Sequence, residues 1–128
     1  GLPKHLPALQ KAQKLQKKVA KVGFDWPSIH GVMAKVEEEL AEVKEAILEN
    51  KPEHIEEEVG DLLFSIVNLS RFLKLDTENV LHKTIYKFAD RFKKMEMALA
   101  SMGKDIEKCT LEEMDAIWNK VKKGDFTA

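Results

Sequence analysis

The stretch Leu62–Leu73, LLFSIVNLSRFL, decides the fold. Wound as a helix of about 3.6 residues per turn, it is apolar on nearly every side. Such a helix is normally surrounded by other helices. Working outward, Asn50 breaks the preceding pattern and Pro52 opens this third helix, which continues to about Lys74. The helix before it runs from about Ser28 to Glu49, with Asp25 as its cap and Pro27 in its first turn. Met33, Val36, Leu40, Val43 and Ile47 form its seam at alternating three and four spacing. A first helix extends from Leu6 to Val22, carries Leu9, Leu15, Val19 and Val22, and stops at Gly23. Asp76 caps a long fourth helix reaching Met102, with Val80, Leu81, Thr84, Phe88, Met95 and Leu99 on its buried side. Thr110 and Glu113 make a capping box ahead of Leu111, Met114, Ile117, Trp118 and Val121. No run alternates as a strand would. The expected class is all-α, a four-helix-bundle-like core with an additional short C-terminal helix. Residues 1–7, with two prolines, read as a lead-in, 8–123 as the domain and 124–128 as a tail.

Composition narrows the function. The 128 residues suffice for one domain with a sizeable core, and a net charge of -1 provides no global basic field for nucleic acid. The single cysteine, Cys109, excludes an internal disulfide framework and a cysteine-based zinc site. No apolar run is long enough for a bilayer, and the basic start lacks an apolar core, so the expected setting is the cytosol, away from membranes. Near-neutrality conceals opposed patches. Lys4 to Lys21 holds six lysines and no acid; Lys35 to Asp61 holds eleven acidic and three basic residues; Lys83 to Lys94 holds five basic residues and one acid.

The acidic patch is ordered. Glu38, Glu39 and Glu42 fall within a wedge of about 100° on the second helix, Glu39 at the edge of the seam and Glu38 pointing most nearly away. Glu58 and Asp61 are neighbours on the third helix, and Ser65 and Asn68 continue their stripe. An antiparallel pairing of the two helices brings five carboxylates toward one place. Mutual repulsion requires either a cation among them or bathing water. Oxygen ligands without His or Cys favour magnesium or manganese, which serve to hold phosphate oxygens and activate water. Acidic runs also occur as plain solvated helix faces; Asp61, at the start of the apolar half of its helix, favours the metal. On the fourth helix Lys83, Lys87, Arg91 and Lys94 line one stripe, either as surface cations or as a clamp for phosphates, Arg91 being suited to forked contact. Trp118 fits a core anchor or a stacking surface for a base. His5, His30, His54 and His82 form no metal-ligand spacing.

Taken together, KVEEELAEV, EEEVGDLLFSIVNLSRFL and KTIYKFADRF resemble the MazG family of nucleoside triphosphate pyrophosphohydrolases, whose pattern is Glu-Glu-x-x-Glu followed by Glu-x-x-Asp. The leading segment LPALQKAQKLQKKVAKVGFDW is similar to the start of the C-terminal catalytic domain in two-domain members, so the chain is expected to be part of a longer protein. The resemblance spans about Leu6 to Val121. It implies magnesium ligands Glu39, Glu42, Glu58 and Asp61, with Glu38 positioning or activating water. It implies nucleotide contacts from Lys35 through Glu39, from Asp61, from Lys87 through Arg91 and from Trp118, with His54 through Glu57 a weaker candidate. Lys87 and Arg91 would stabilise charge on the departing pyrophosphate. Ile85 departs from the family, which often has Asn there, and this bears on sugar or base contacts. The implied partners are nucleoside triphosphates and, since the family usually works as a homodimer or larger assembly, further copies of the chain. The competing readings are a dUTP-directed or phosphoribosyl-ATP pyrophosphohydrolase and a non-catalytic helical dimerisation module that binds cations.

Overall fold

Local signals set most helix ends. In the computed structural model, which describes residues 4–124, the helices are α1 Ala8–Lys21, α2 Ile29–Glu49, α3 Pro52–Phe72, α4 Thr77–Ser101 and α5 Leu111–Lys122. A short 3-10 turn, Ile106–Lys108, precedes α5, and no strand occurs among the described residues. The first three residues of the lead-in and the tail beyond Gly124 lie outside the described residues. No described helix is long and apolar enough to cross a membrane.

Asn50 takes the left-handed conformation, φ 54°, and its N–H closes on the carbonyls of Ala46 and Ile47, so α2 ends there. Pro52, lacking an N–H, starts α3 without losing a bond. The chain reverses in the two residues between, and α2 and α3 pack antiparallel: Glu49 meets His54, and Glu39 meets Glu58 and Asp61. At the far end α3 stops at Phe72 rather than Lys74, because Lys74 itself is left-handed, φ 63°. Asp76 then caps the next helix, its carboxylate accepting from the Asn79 N–H at 3.2 Å. The Thr110–Glu113 capping box forms as expected, with the Glu113 N–H on Thr110 Oγ1 at 3.1 Å.

The chain divides into two compact units, one ending at Val80 and the other beginning at Leu81. In the first, Val32, Val43, Ala46 and Val67 are buried where α2 meets α3. α1 packs on α3, where Gln16 Nε2 donates to the Phe64 carbonyl at 2.9 Å, and on the turn beyond it, where Gln13 Nε2 donates to the Leu75 carbonyl at 2.8 Å. Gln13 Oε1 also accepts from the Thr77 N–H at 2.9 Å, supplying a partner to the first turn of α4. In the second unit Met95, Ala98, Leu99, Ile117 and Val121 form the core, with Ile106, Cys109, Met114 and Trp118 packed around it.

Several expectations change. Asp25 does not cap α2; Ser28 holds the cap position and makes no side-chain cap bond. The Asp25 carboxylate is taken by Arg71, whose two guanidinium nitrogens reach it at 2.7 and 3.0 Å, and by the Trp26 N–H at 2.8 Å. A charged, forked donor outcompetes neutral helix N–H groups. The inner stripe of α2 keeps Val36 and Val43 of the expected seam, but Val32, Glu39 and Ala46 take the places of Met33, Leu40 and Ile47, which are exposed. Leu63, Phe64 and Ile66 of α3 and Val80, Leu81, Thr84 and Phe88 of α4 are likewise exposed in the single chain, and Val22 almost wholly so.

Candidate functional site

The register of α2 places a charge inside. Glu39 is only 8% exposed, and Lys35, one turn earlier, sets its Nζ 3.0 Å from the Glu39 carboxylate and 3.5 Å from that of Glu38. The hydrogen bond to Glu39 holds the Lys35 ammonium above the ordinary lysine range. Across the interface, α3 contributes Glu58 and Asp61 from adjacent turns of one face. One carboxylate oxygen from each of Glu39, Glu58 and Asp61 lies within 4.8 Å of the other two.

A carboxyl set among other carboxylates resists ionisation. The Glu58 carboxyl is pushed up from its usual range by desolvation, then by the negative charges of Glu42 and Asp61. His54 opposes this weakly: its Nε2 is 3.5 Å from Glu58, while its Nδ1 pairs with Glu49 at 2.9 Å and that pairing raises the imidazole. The arrangement fits a small divalent cation. The donors are all carboxylate oxygens, their spread is close to the ~4.2 Å that separates opposite ligands of a magnesium ion, and the unrelieved repulsion at Glu58 is what such a charge would remove.

Glu39 and Asp61 of this trio open onto a cavity of about 780 Å³, within the range of small-molecule sites. Glu39, Asp61 and Lys35 share its wall with Leu15, Val19, Phe24 and Trp26 from α1 and the loop that follows, and with Ser65 and Asn68 from α3. Arg71 ties this wall together. Besides holding Asp25 in the loop, its Nε donates to Asn68 Oδ1 at 2.9 Å.

Of the anticipated site residues, the first unit thus gathers Lys35, Glu39, Glu58 and Asp61. Glu42 is half-buried and near enough to act on Glu58, and Glu38 is exposed and paired with Lys35. Of the His54 to Glu57 segment only His54 touches the cluster, through Glu58. Lys87, Arg91 and Trp118 belong to the second unit. There Lys87 is exposed, Arg91 is half-buried, and the Trp118 ring packs 5.0 Å from that of Phe88 against the core of that unit. Ile85, at the departure from the family pattern, is exposed.

Sequence reasoning missed Phe24, Trp26, Gln16 and Arg71. A tryptophan between two helices, outside either apolar stripe, was the available signal.

The model of the MazG nucleotide pyrophosphohydrolase domain matches residues 28–95. A protein of Thermotoga maritima named nucleoside triphosphate pyrophosphohydrolase/pyrophosphatase MazG is 50% identical over 122 residues, covering 95% of this chain and 47% of that protein. A nucleoside triphosphate pyrophosphohydrolase of Escherichia coli K12 is 42% identical over 129 residues, covering 98% of this chain and 48% of its own length. YabN of Bacillus subtilis, named as uncharacterised, is 44% identical over 124 residues, 96% of this chain and 25% of YabN. The chain spans about half the length of the first two relatives.

Proposed function

We propose that this chain, which belongs to the MazG nucleotide pyrophosphohydrolase domain family, hydrolyses nucleoside triphosphates to nucleoside monophosphate and pyrophosphate. The observation that carries this reading is the gathering of Glu39, Glu58 and Asp61, two of which, Glu39 and Asp61, stand in the wall of a nucleotide-sized cavity. Those three, with Glu42 beside Glu58, would hold magnesium, or manganese in its place. When bound, that ion supplies positive charge against the phosphate oxygens and lowers the pKa of water.

The side chains have distinct tasks. Lys35 sets its ammonium against the buried Glu39 carboxylate and compensates that charge. Glu38, exposed and adjacent, orients a water toward the α-phosphorus and accepts its proton. The bond from the α-phosphorus to the bridging oxygen breaks, and pyrophosphate leaves. The single cysteine is in keeping with a reducing, cytoplasmic setting. Self-association belongs to the same reading. Met33, Leu40 and Ile47 share one exposed face of α2, and Val59, Leu63 and Ile66 one exposed face of α3, apolar surface that a second copy would cover.

The test is a panel of nucleoside triphosphates incubated in ¹⁸O-water with and without magnesium. The expected products are pyrophosphate and monophosphate, with the label in the monophosphate and turnover only when magnesium is present. Orthophosphate and diphosphate as products, or label in pyrophosphate, overturn the cleavage position. No pyrophosphate above background overturns the enzyme. Light scattering during size-exclusion chromatography should give at least twice the 14.6 kDa chain mass.

A further inference from the structure

The carboxylates account for only one part of the cavity they share. Much of the remaining wall is apolar and aromatic, built by Leu15, Val19, Phe24 and Trp26. Phe24 is 80% exposed and Trp26 42%, both in the loop that follows α1. Neither is loosely placed. Asp25, between them, is clamped by Arg71, and its Oδ1 accepts the Trp26 N–H. The Trp26 ring rests against α2 at Gly31, where an added Cβ would lie 2.6 Å from Cε3 and little more than 3 Å from two further ring atoms. The helix is bare at Gly31, where the ring rests on it.

Polar groups complete the wall. Arg71 Nε is a donor, so the Asn68 atom facing it is the oxygen, and the amide presents Nδ2 as its donor. Gln16 is 4% exposed; its Nε2 is spent on the Phe64 carbonyl, while its Oε1 is buried with no hydrogen-bond partner. A shielded acceptor in a cavity wall is satisfied by an N–H brought in by a ligand.

An aromatic platform, one amide donor and one unpaired acceptor beside a phosphate-type centre match a flat heteroaromatic ring bearing both acceptors and N–H groups. We propose that this part of the cavity seats the nucleobase, with Trp26 and Phe24 stacking on it and Asn68 and Gln16 contacting its edge. This rests on the chain being a nucleoside triphosphate pyrophosphohydrolase and adds the residues that grip the base. Since every base offers a π-face, the grip is tolerant of base identity.

The experiment is calorimetric binding of non-hydrolysable α,β-methylene analogues of the adenine, guanine, cytosine and uracil triphosphates, with magnesium, to the wild-type chain, Trp26→Leu and Phe24→Ala. Manganese affinity by electron paramagnetic resonance and helicity by circular dichroism are read on the same samples. Trp26→Leu should raise Kd about tenfold for all four analogues, and Phe24→Ala should weaken them in the same sense. Manganese affinity should move less than twofold. Unchanged nucleotide Kd in both variants overturns the subsite, as does a parallel loss of manganese affinity or helicity, and as does failure of the wild type to bind any analogue. A wild type that binds the analogues through Trp26 yet releases no pyrophosphate from true triphosphates sinks the hydrolase and leaves the base subsite standing.

Discussion

The two units are held together by different kinds of interior. All the buried polar or charged residues described (Gln13, Gln16, Glu39, Ser65 and Thr77) belong to the first unit, beside the apolar Val32, Val43, Ala46 and Val67. The buried residues described in the second unit are Met95, Ala98, Leu99, Ile117 and Val121, apolar without exception. An apolar interior gains free energy from every atom it removes from water. An interior with amides and a carboxylate gains only where each polar group finds a partner, and the clustered acids are a net liability without a cation. The first unit gives up stability for a site; the second is built to hold.

That contrast can be broken at four places. Leu99, 1% exposed, is the deepest side chain of the apolar core, and Leu99→Ala should cost about 3–5 kcal/mol, read by chemical denaturation. The nucleotide affinity of the molecules that remain folded should be unaltered. Asp61→Asn should do the reverse, lowering magnesium-dependent kcat/KM by about a hundredfold or more while leaving the circular dichroism and melting midpoint near those of the wild type. A core variant that lost nucleotide affinity, or an Asp61 variant that unfolded, would erase the division of labour.

Asp25→Asn should cost about 1 kcal/mol at neutral pH, modest because the pair is partly exposed. The Arg71 hydrogen bond holds the Asp25 carboxyl below its ordinary 3.8. The stabilisation is therefore complete above that value and is lost as pH falls through the lowered one, where wild type and variant should converge. Glu58 has the opposite sign. Its carboxyl is raised, so its ionisation destabilises the fold: the penalty is absent below the ordinary 4.5 and grows as pH rises through the shifted value. Glu58→Gln should therefore melt higher than the wild type in chelator at pH 7, equal it below pH ~4, and lose the advantage at neutral pH when magnesium is added to both. A variant that melts lower in chelator at neutral pH contradicts this assignment.

What the sequence disclosed, and what it withheld, follows from the range of the interactions. The ends of helices were legible because their chemistry is local: Asn50 and Pro52 turn the chain within two residues, and Thr110 and Glu113 satisfy one another across a single turn. The carboxylate pattern was legible for the same reason, since each half repeats at three or four residues. The inner face of α2 was misread because a glutamate scores as outward until Glu58 and Asp61 are known to oppose it. The amides of α1 and the Asp25 clamp were out of reach, their partners lying 48, 62 and 46 residues along the chain. The aromatic wall was missed because Phe24 and Trp26 belong to neither helical stripe and acquire meaning only from the cavity they border.

Gln13 carries one more consequence. It faces a carbonyl at Leu75 and an N–H at Thr77, across the break where α3 has ended and α4 has begun. That pair is read the way the edge of one base reads another, donor against acceptor and acceptor against donor. A side-chain amide carries both on one planar group, and asparagine is a methylene too short. Glutamate, of equal length, would set a second acceptor against the Leu75 carbonyl at neutral pH. A position that composition alone would file as an ordinary polar residue on a lysine-rich helix thus carries a paired donor and acceptor, and through it the first helix recognises the corner at which the third becomes the fourth.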